Sequence, residues 1–368
     1  MPTDLMTEAK HLPAVPPEAA EAYEKHLQLL IDQVNDTLEA HPDIHRLIGY
    51  NPLDMMYANH QNHARFMVNV FKYHTYELLV TVARWVYRTY HAHGFEFDYF
   101  PNELTAWRDA VKARLDASKT PEMIAVYQWM LDRHPAMVES SQEPRKDTRD
   151  MDPAWQETID AFIEALLEGD SQNCLAMAED IAKTAKGLET LYLEVIQPSL
   201  YEIGKLWEAD DISVAQEHLA TAIVARLMAT LFPHLQTAPD KKGRAVVTTT
   251  TNEFHETGAR TVADLLELDG WEVDYLGVNT PANELLRFLK EVKPAILLLS
   301  VAMPFNIDRT SDVIETIQAT PELAGLKIMV GGLAFSLDPE LWQITGADGY
   351  APDARGAVNQ ARIWWKEA

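Results

Sequence analysis

The sequence predicts a multidomain chain: an all-α domain, then a four-helix bundle, then a parallel α/β domain. Three observations predict it. From Tyr23 to about His134 the apolar residues recur at helical spacing. From Pro153 to about Leu235 four more amphipathic stretches are joined by short loops, the pattern of an up-and-down bundle. From Gly243 onward short apolar runs alternate with helix patterns, which makes a doubly wound parallel sheet. The expected parts are a flexible leader over 1–22, the all-α domain over 23–137, a polar linker over 138–152, the bundle over 153–238 and the α/β domain over 239–368.

Composition narrows the function classes. With 368 residues, 47% of them apolar, the chain can bury several cores. A net charge of −25 and no Lys/Arg-rich run argue against a nucleic-acid surface, so no direct DNA binding is expected. Cys174 is the only cysteine, which excludes a disulfide framework and a zinc ribbon; it reads as a small buried apolar residue. The first residues lack the charged-then-apolar order of a signal peptide, and no apolar run reaches about 18 residues. A cytoplasmic location without membrane contact is the expectation.

The leader is marked by Pro2, Pro13, Pro16 and Pro17. After it, helix boundaries are expected at His41-Pro42, Asn51-Pro52, His93-Gly94, Pro101, Thr120-Pro121 and His134-Pro135. The longest helix is expected from Pro52 or Leu53 to about His91. One face of it would carry His60, His63, Met67, Val70, His74, Leu78 and Trp85. Ten of the thirteen histidines precede residue 138, among many aromatic residues. The helix lengths, and the Gly94–Pro101 turn ahead of Trp107, resemble globin-type sensor modules of bacterial signalling proteins. That resemblance implies a haem or bilin (biliverdin) pocket, with His60, His63 and His74 as contacts and Arg65, Arg84 and Arg88 nearby in sequence. The domain has no cysteine for covalent attachment of a bilin. The residues equally fit an all-α dimerisation module with hydrogen-bonded histidines.

In the bundle, Trp155–Leu167 should end at Gly169-Asp170 and a second helix, capped by Ser171 or Asn173, should run through Lys186. A third is expected to about Ala209 and a fourth over Ser213–Phe232. Trp207 then lies near a helix end, and Glu217-His218 in the first turns of the next helix. By themselves these residues also suit a core tryptophan and an acid complementing a helix dipole.

In the α/β domain, strands are expected at Ala245–Thr250, Trp271–Leu276, Ala295–Ser300, Lys327–Val330 and Gly349–Ala351, a flavodoxin-like or Rossmann-like arrangement. Its carboxyl-end loops hold Glu253–Gly258, Ser300–Pro304 and Gly331-Gly332. An imidazole is a good ligand for a first-row metal, and a carboxylate two residues before it fixes the ring's tautomer. Glycine lets a bulky group approach the backbone. Glu253-x-His255-x-x-Gly258 resembles the cobalt-ligating motif of cobalamin-binding domains, which more often has Asp in the first place. The resemblance implies that His255 is the metal ligand, with Ser300, Gly331 and Gly332 making room for the cofactor's nucleotide tail.

The spacing Trp207-x9-Glu217-His218 is similar to that of adenosylcobalamin-dependent photoreceptors of the CarH type. There the tryptophan and the Glu-His pair cover the upper face of the corrin. In this chain Glu208 stands where that type has a cobalt-capturing histidine, and no DNA-binding module is recognised. A helical domain ahead of the cobalamin module is similar in layout to photocobilins. The function these resemblances imply is light sensing through the upper cobalt ligand of adenosylcobalamin, with no enzymatic activity. Signalling would run through homo-oligomerisation or a protein effector that the sequence does not name. A corrinoid carrier in methyl transfer is the alternative.

Overall fold

The computed structural model describes residues 4–143, 152–232, 238–338 and 340–367. Two compact units make up the chain: residues 1–146 with 208–210, and residues 147–207 with 211–368.

The first unit is all α: α1 (Leu5–Ala9), α2 (Pro17–Lys25), α3 (Leu27–Glu39), α4 (Ile44–Leu47), α5 (Leu53–Tyr73), α6 (Tyr76–Ala92), α7 (Tyr99–Arg114), α8 (Pro121–Asp132) and α9 (His134–Ser141). Three expectations are corrected here. The leader is ordered from α1 onward, because Leu5, Ala9 and Val15 are buried. The long helix is two helices: His74 adopts a left-handed conformation (φ 55°) and ends α5, its Nε2 2.9 Å from the Val15 carbonyl oxygen. Pro101 is no boundary either. It lies in the first turn of α7, where a missing N–H costs nothing. Within the expected linker, residues 138–141 complete α9, and 144–151 lie outside the described residues.

The second unit begins with a helical bundle: α10 (Gln156–Glu168), α11 (Ser171–Ile181), α12 (Ala185–Thr190), a π-helical turn (Leu191–Ile196), α13 (Gln197–Glu208) and α14 (Val214–Leu231). The caps explain the boundaries. Gly169 ends α10 at φ 75°, and Asp170 caps α11 by accepting from Asn173 N–H. The second helix stops at Ile181 rather than Lys186, because the Thr184 hydroxyl caps a new helix through Gly187 N–H. Ser213 and Gln216 form a reciprocal capping box at the start of α14.

The sheet follows: β1 (Arg244–Thr249), β2 (Glu272–Tyr275), β3 (Ile296–Ser300), β4 (Lys327–Gly331) and β5 (Gly349–Ala351), all parallel in the order β2-β1-β3-β4-β5. Helices α15 (Glu256–Leu268), α16 (Ala282–Val292), α17 (Ile307–Gln318), α18 (Leu333–Ser336), α19 (Leu341–Ile344) and α20 (Ala354–Glu367) lie between and after the strands. Val246, Val247, Leu297, Leu298, Met329 and Val330 are buried, as unbroken apolar strands of a covered parallel sheet should be. One apolar cluster joins bundle residues such as Phe162, Leu191 and Val224 to Val247, Leu266 and Ile296. The strand order reverses between β1 and β3, the switch point at which open α/β sheets bind ligands. No described helix is long and apolar enough to cross a membrane.

Candidate functional site

The switch point holds the Glu253–Gly258 loop. Its entry is unusual: Asn252 takes φ 68°, with its N–H donating to Asn279 Oδ1 at 2.8 Å. Glu253 is then carried fully inside, while the His255 side chain stays 60% exposed. His255 Nδ1 lies 2.5 Å from Glu253 Oε1. Nδ1–H therefore donates to the carboxylate, and the lone pair is left on Nε2, the nitrogen available to a metal.

The carboxylate is itself held. Glu253 Oε2 accepts from the backbone N–H groups of Ala302 and Met303, both at 2.9 Å, and from Asn306 Nδ2 at 3.2 Å. Burial alone would raise this acid's pKa. The hydrogen bonds from His255, Met303 and Asn306 outweigh burial and bring it below the usual glutamate value. Burial likewise works to lower the His255 pKa, but Glu253 raises it overall, with a further contribution from the charge of Glu217.

The remaining loops are shaped by glycine. A Cβ on Gly258 would meet only Ser300 Oγ, at 3.7 Å, so bare backbone fronts open space on the same loop as His255. Gly332 has φ 100°, and a side chain there would collide with the Val301 carbonyl oxygen. Gly331 pairs with Ser300 in the sheet, and a Cβ on it would come within 2.9 Å of the Ala351 oxygen. Glu253, His255, Gly258, Ser300, Gly331 and Gly332 thus gather at one end of the sheet. The Thr250 hydroxyl, at the end of β1, is buried with no hydrogen-bond partner among the described residues.

In the bundle, Trp207 is partly buried against the shared apolar cluster. Glu217 Oε2 is 2.6 Å from His218 Nδ1, and its other oxygen accepts from the Thr221 hydroxyl. His218 itself is 74% exposed. Bundle and sheet are tied by Tyr192, whose hydroxyl donates to Asp264 Oδ2 at 2.8 Å, while Arg260 Nε donates to Asp264 Oδ1 at 3.0 Å.

In the first unit the three candidate histidines each meet other groups of the protein. His60 is fully buried with both ring nitrogens engaged, Nδ1 to Asn35 Oδ1 (2.6 Å) and Nε2 to the Tyr99 hydroxyl (2.9 Å). His63 stacks on Trp107, with Nε2 3.3 Å from the Tyr127 hydroxyl and Nδ1 3.9 Å from Glu103 Oε1. His74 serves as a helix terminus. Of the three, only His63 lines the cavity bounded by Phe66, Val86, Tyr87 and Glu103, which holds about 40 Å³. Sites for drug-sized ligands run to roughly 300–1,000 Å³.

Sequence reasoning missed the donors that fix Glu253. Ala302, Met303 and Asn306 lie about fifty residues away and reach it through backbone or amide N–H groups, which leave no motif.

Residues 243–359 and 158–231 each match a family described as a B12 binding domain. The class is therefore a cobalamin-binding module, with a helical part preceding an α/β part. Among its relatives, dimethylamine corrinoid protein 3 of Methanosarcina mazei is 30% identical over 126 residues, 34% of this chain and 74% of that protein. The HTH-type transcriptional repressor CarH of Myxococcus xanthus is 29% identical over 191 residues, 51% of this chain and 61% of the repressor's length. The monomethylamine corrinoid protein of Methanosarcina barkeri, a solved structure, is 21% identical, with 56% of this chain and 98% of that one covered and a TM-score of 0.49. The chain belongs to the cobalamin-binding family.

The residues present fit that cofactor. A half-exposed imidazole with its lone pair on Nε2 suits cobalt, and the bare face of Gly258 admits a flat macrocycle beside it.

Proposed function

We propose that the chain is a cobalamin-dependent light sensor in which His255 is the lower cobalt ligand and Trp207, Glu217 and His218 cover the upper face. The observation that carries this reading is the Trp207-x9-Glu217-His218 set on α13 and α14. Similarity to the repressor CarH supports it. When bound, adenosylcobalamin supplies a cobalt–carbon bond that visible light breaks.

The chain's own residues then have separate tasks. Glu253 keeps the proton on Nδ1 of His255, and Gly258 leaves the approach open. Trp207 excludes solvent from the upper face, and Glu217 and His218 close its edge. A sensor needs only two arrangements of such a lid whose balance depends on what lies beneath it. Output runs through the chain's own association or a protein effector, without catalysis. A bilin in the first unit has less support, because His60 and His74 are already partnered and the cavity beside His63 is small. A structural all-α unit suits that geometry better.

The relatives named as methylamine corrinoid proteins favour a second reading, a carrier of methyl groups. The test is the absorption spectrum and molecular mass of protein loaded with adenosylcobalamin in the dark, before and after illumination. A sensor changes both. A protein that prefers methylcobalamin, passes the methyl group to a thiol and keeps one mass in light and dark is a carrier. Trp207→Ala should narrow the preference for adenosyl- over methylcobalamin in a sensor and leave it unaltered in a carrier.

A further inference from the structure

The structure assigns Tyr192 as the positioning residue that fixes the helix carrying Trp207 against the helix that begins at the His255 loop. Its bearing on ligand choice rests on the reading of Trp207 as the cover of the upper face. Tyr192 lies fully buried in the π-helical turn, and the chain runs on from it through α13 to Trp207. Its hydroxyl donates to Asp264 Oδ2 at 2.8 Å, 72 residues away. Asp264 is buried on α15, the helix for which His255 is the N-cap. Glu256, Arg260 and Asp264 recur every four residues and so share one side of α15. Arg260 Nε donates to Asp264 Oδ1 at 3.0 Å, and its guanidinium lies 5.5 Å from the centre of the Tyr275 ring on β2. The Tyr275 hydroxyl donates in turn to Glu256 Oε1 at 3.4 Å, on the residue that follows His255.

Cohesion does not explain this row. Around it, Leu191, Val195 and Ile196 of the turn and Ala263 and Leu266 of α15 belong to one apolar cluster. Apolar contact is non-directional and would let two helices settle at several offsets. A buried ion pair in such a seam adds little stability over apolar side chains of similar volume, and its best-attested use is to single out one register. Tyr192 makes that choice here. Its hydroxyl reaches the carboxylate oxygen that Arg260 leaves free, and a slip of one helical turn, about 5.4 Å, would part them. The same slip would carry Trp207 along the axis with it. Arg355 on α20 also holds this helix, through Glu189 and Glu194, but those pairs are partly exposed and bind it more loosely. The π form of the turn agrees with a functional role, since such turns are frequent at functional sites.

The experiment uses the full chain. Cys174, the only native cysteine, is buried, so spin labels go to two introduced cysteines, Gly204→Cys on α13 and Arg287→Cys on α16. A Cβ at Gly204 meets nothing within 4 Å, and Arg287 is exposed. Pulsed dipolar spectroscopy of unliganded protein should read one narrow distance between the labels. Tyr192→Phe, which keeps the ring, should broaden that distance or add a second. In unlabelled protein, titrated in the dark, the same variant should bind adenosylcobalamin about three- to ten-fold more weakly, the worth of one hydrogen bond. Its affinity for hydroxocobalamin, whose upper ligand is small, should stay as it was. In a Trp207→Ala background Tyr192→Phe should add little, because both changes act through one lid. A cooperative melt verifies folding, and Tyr192→Met carries the same measurements if the phenylalanine variant does not fold. An unaltered distance distribution, or equal losses for the two cobalamins, overturns the inference. If Trp207→Ala alone leaves the preference for adenosylcobalamin unaltered, the lid reading fails instead, while the label distance in unliganded protein still judges Tyr192.

Discussion

Each unit contains a histidine beside a buried glutamate, and the two carboxyl groups are shifted in opposite senses. In the second unit Glu253 collects donors from His255, Ala302, Met303 and Asn306, and its pKa falls. In the first unit Glu103 has burial raising its pKa to about 7, opposed by a hydrogen bond from Trp107 Nε1 at 3.2 Å. Burial takes the neighbouring His63 the other way, to about 3. The same two residue types hold a charged carboxylate against an Nδ1–H at one place and a carboxyl that keeps its proton to higher pH at the other. Donor count decides between them, since a buried carboxylate stays charged only where hydrogen bonds replace its water. The His255 imidazole faces outward, whereas His63 is packed inside its unit.

Breaking the Glu253–His255 contact should have the largest effect. His255→Ala is expected to lower cobalamin affinity by more than about a hundred-fold, since a ligand matters more than the groups behind it. Equilibrium titration with spectroscopy measures it. Glu253→Gln keeps shape but removes charge, and affinity should fall by about ten- to hundred-fold in the same assay.

The Glu103–His63 pair predicts a pH effect instead. A carboxyl whose folded pKa is raised from 4.5 to about 7 stabilises the fold below pH 4.5, and that stability is lost as pH rises toward 7. The loss is on the order of 3 kcal/mol. His60 and His63, both lowered from 6.5 to about 3, act oppositely and add stability as pH rises between those values. In Glu103→Gln only that rising limb should remain, and thermal melts from pH 4 to pH 8 would reveal a persisting fall. The smallest effect expected is that of Tyr192→Phe. Losing its bond to Asp264 should cost about 1–2 kcal/mol in the unfolding of the second unit, with the first unit unaffected.

Much of the second unit was legible because its signals are local. The strands are unbroken apolar runs, and Glu253 and His255 are two residues apart, so one loop records their contact. The end of α5 was not legible. No glycine or proline stands at 73–75, and His74 is held by Val15, fifty-nine residues away. The ordered leader was hidden in the same way, since the prolines that read as looseness also start α2 at Pro17. The histidine row was read correctly as one-sided over His60, His63 and Met67. Its partners were not legible, because Asn35, Tyr99 and Tyr127 come from other helices to meet it.

The π-helical turn at Leu191–Ile196 has a consequence for the length of the chain. It winds one more residue into a turn than an α-helix does, without interrupting the helix that continues through Glu208. Ser199, Ile203 and Trp207, spaced by four, form one stripe beyond it, while Tyr192 is tethered to Asp264 within it. Deleting a single residue from the turn would restore ordinary winding and leave that stripe close to its present angle, because the turn already holds one residue in excess. The turn thus tolerates the loss of one residue, whereas a one-codon deletion in the regular helix between Gln197 and Trp207 would swing Trp207 by roughly 100° with every side chain of the binding loop intact.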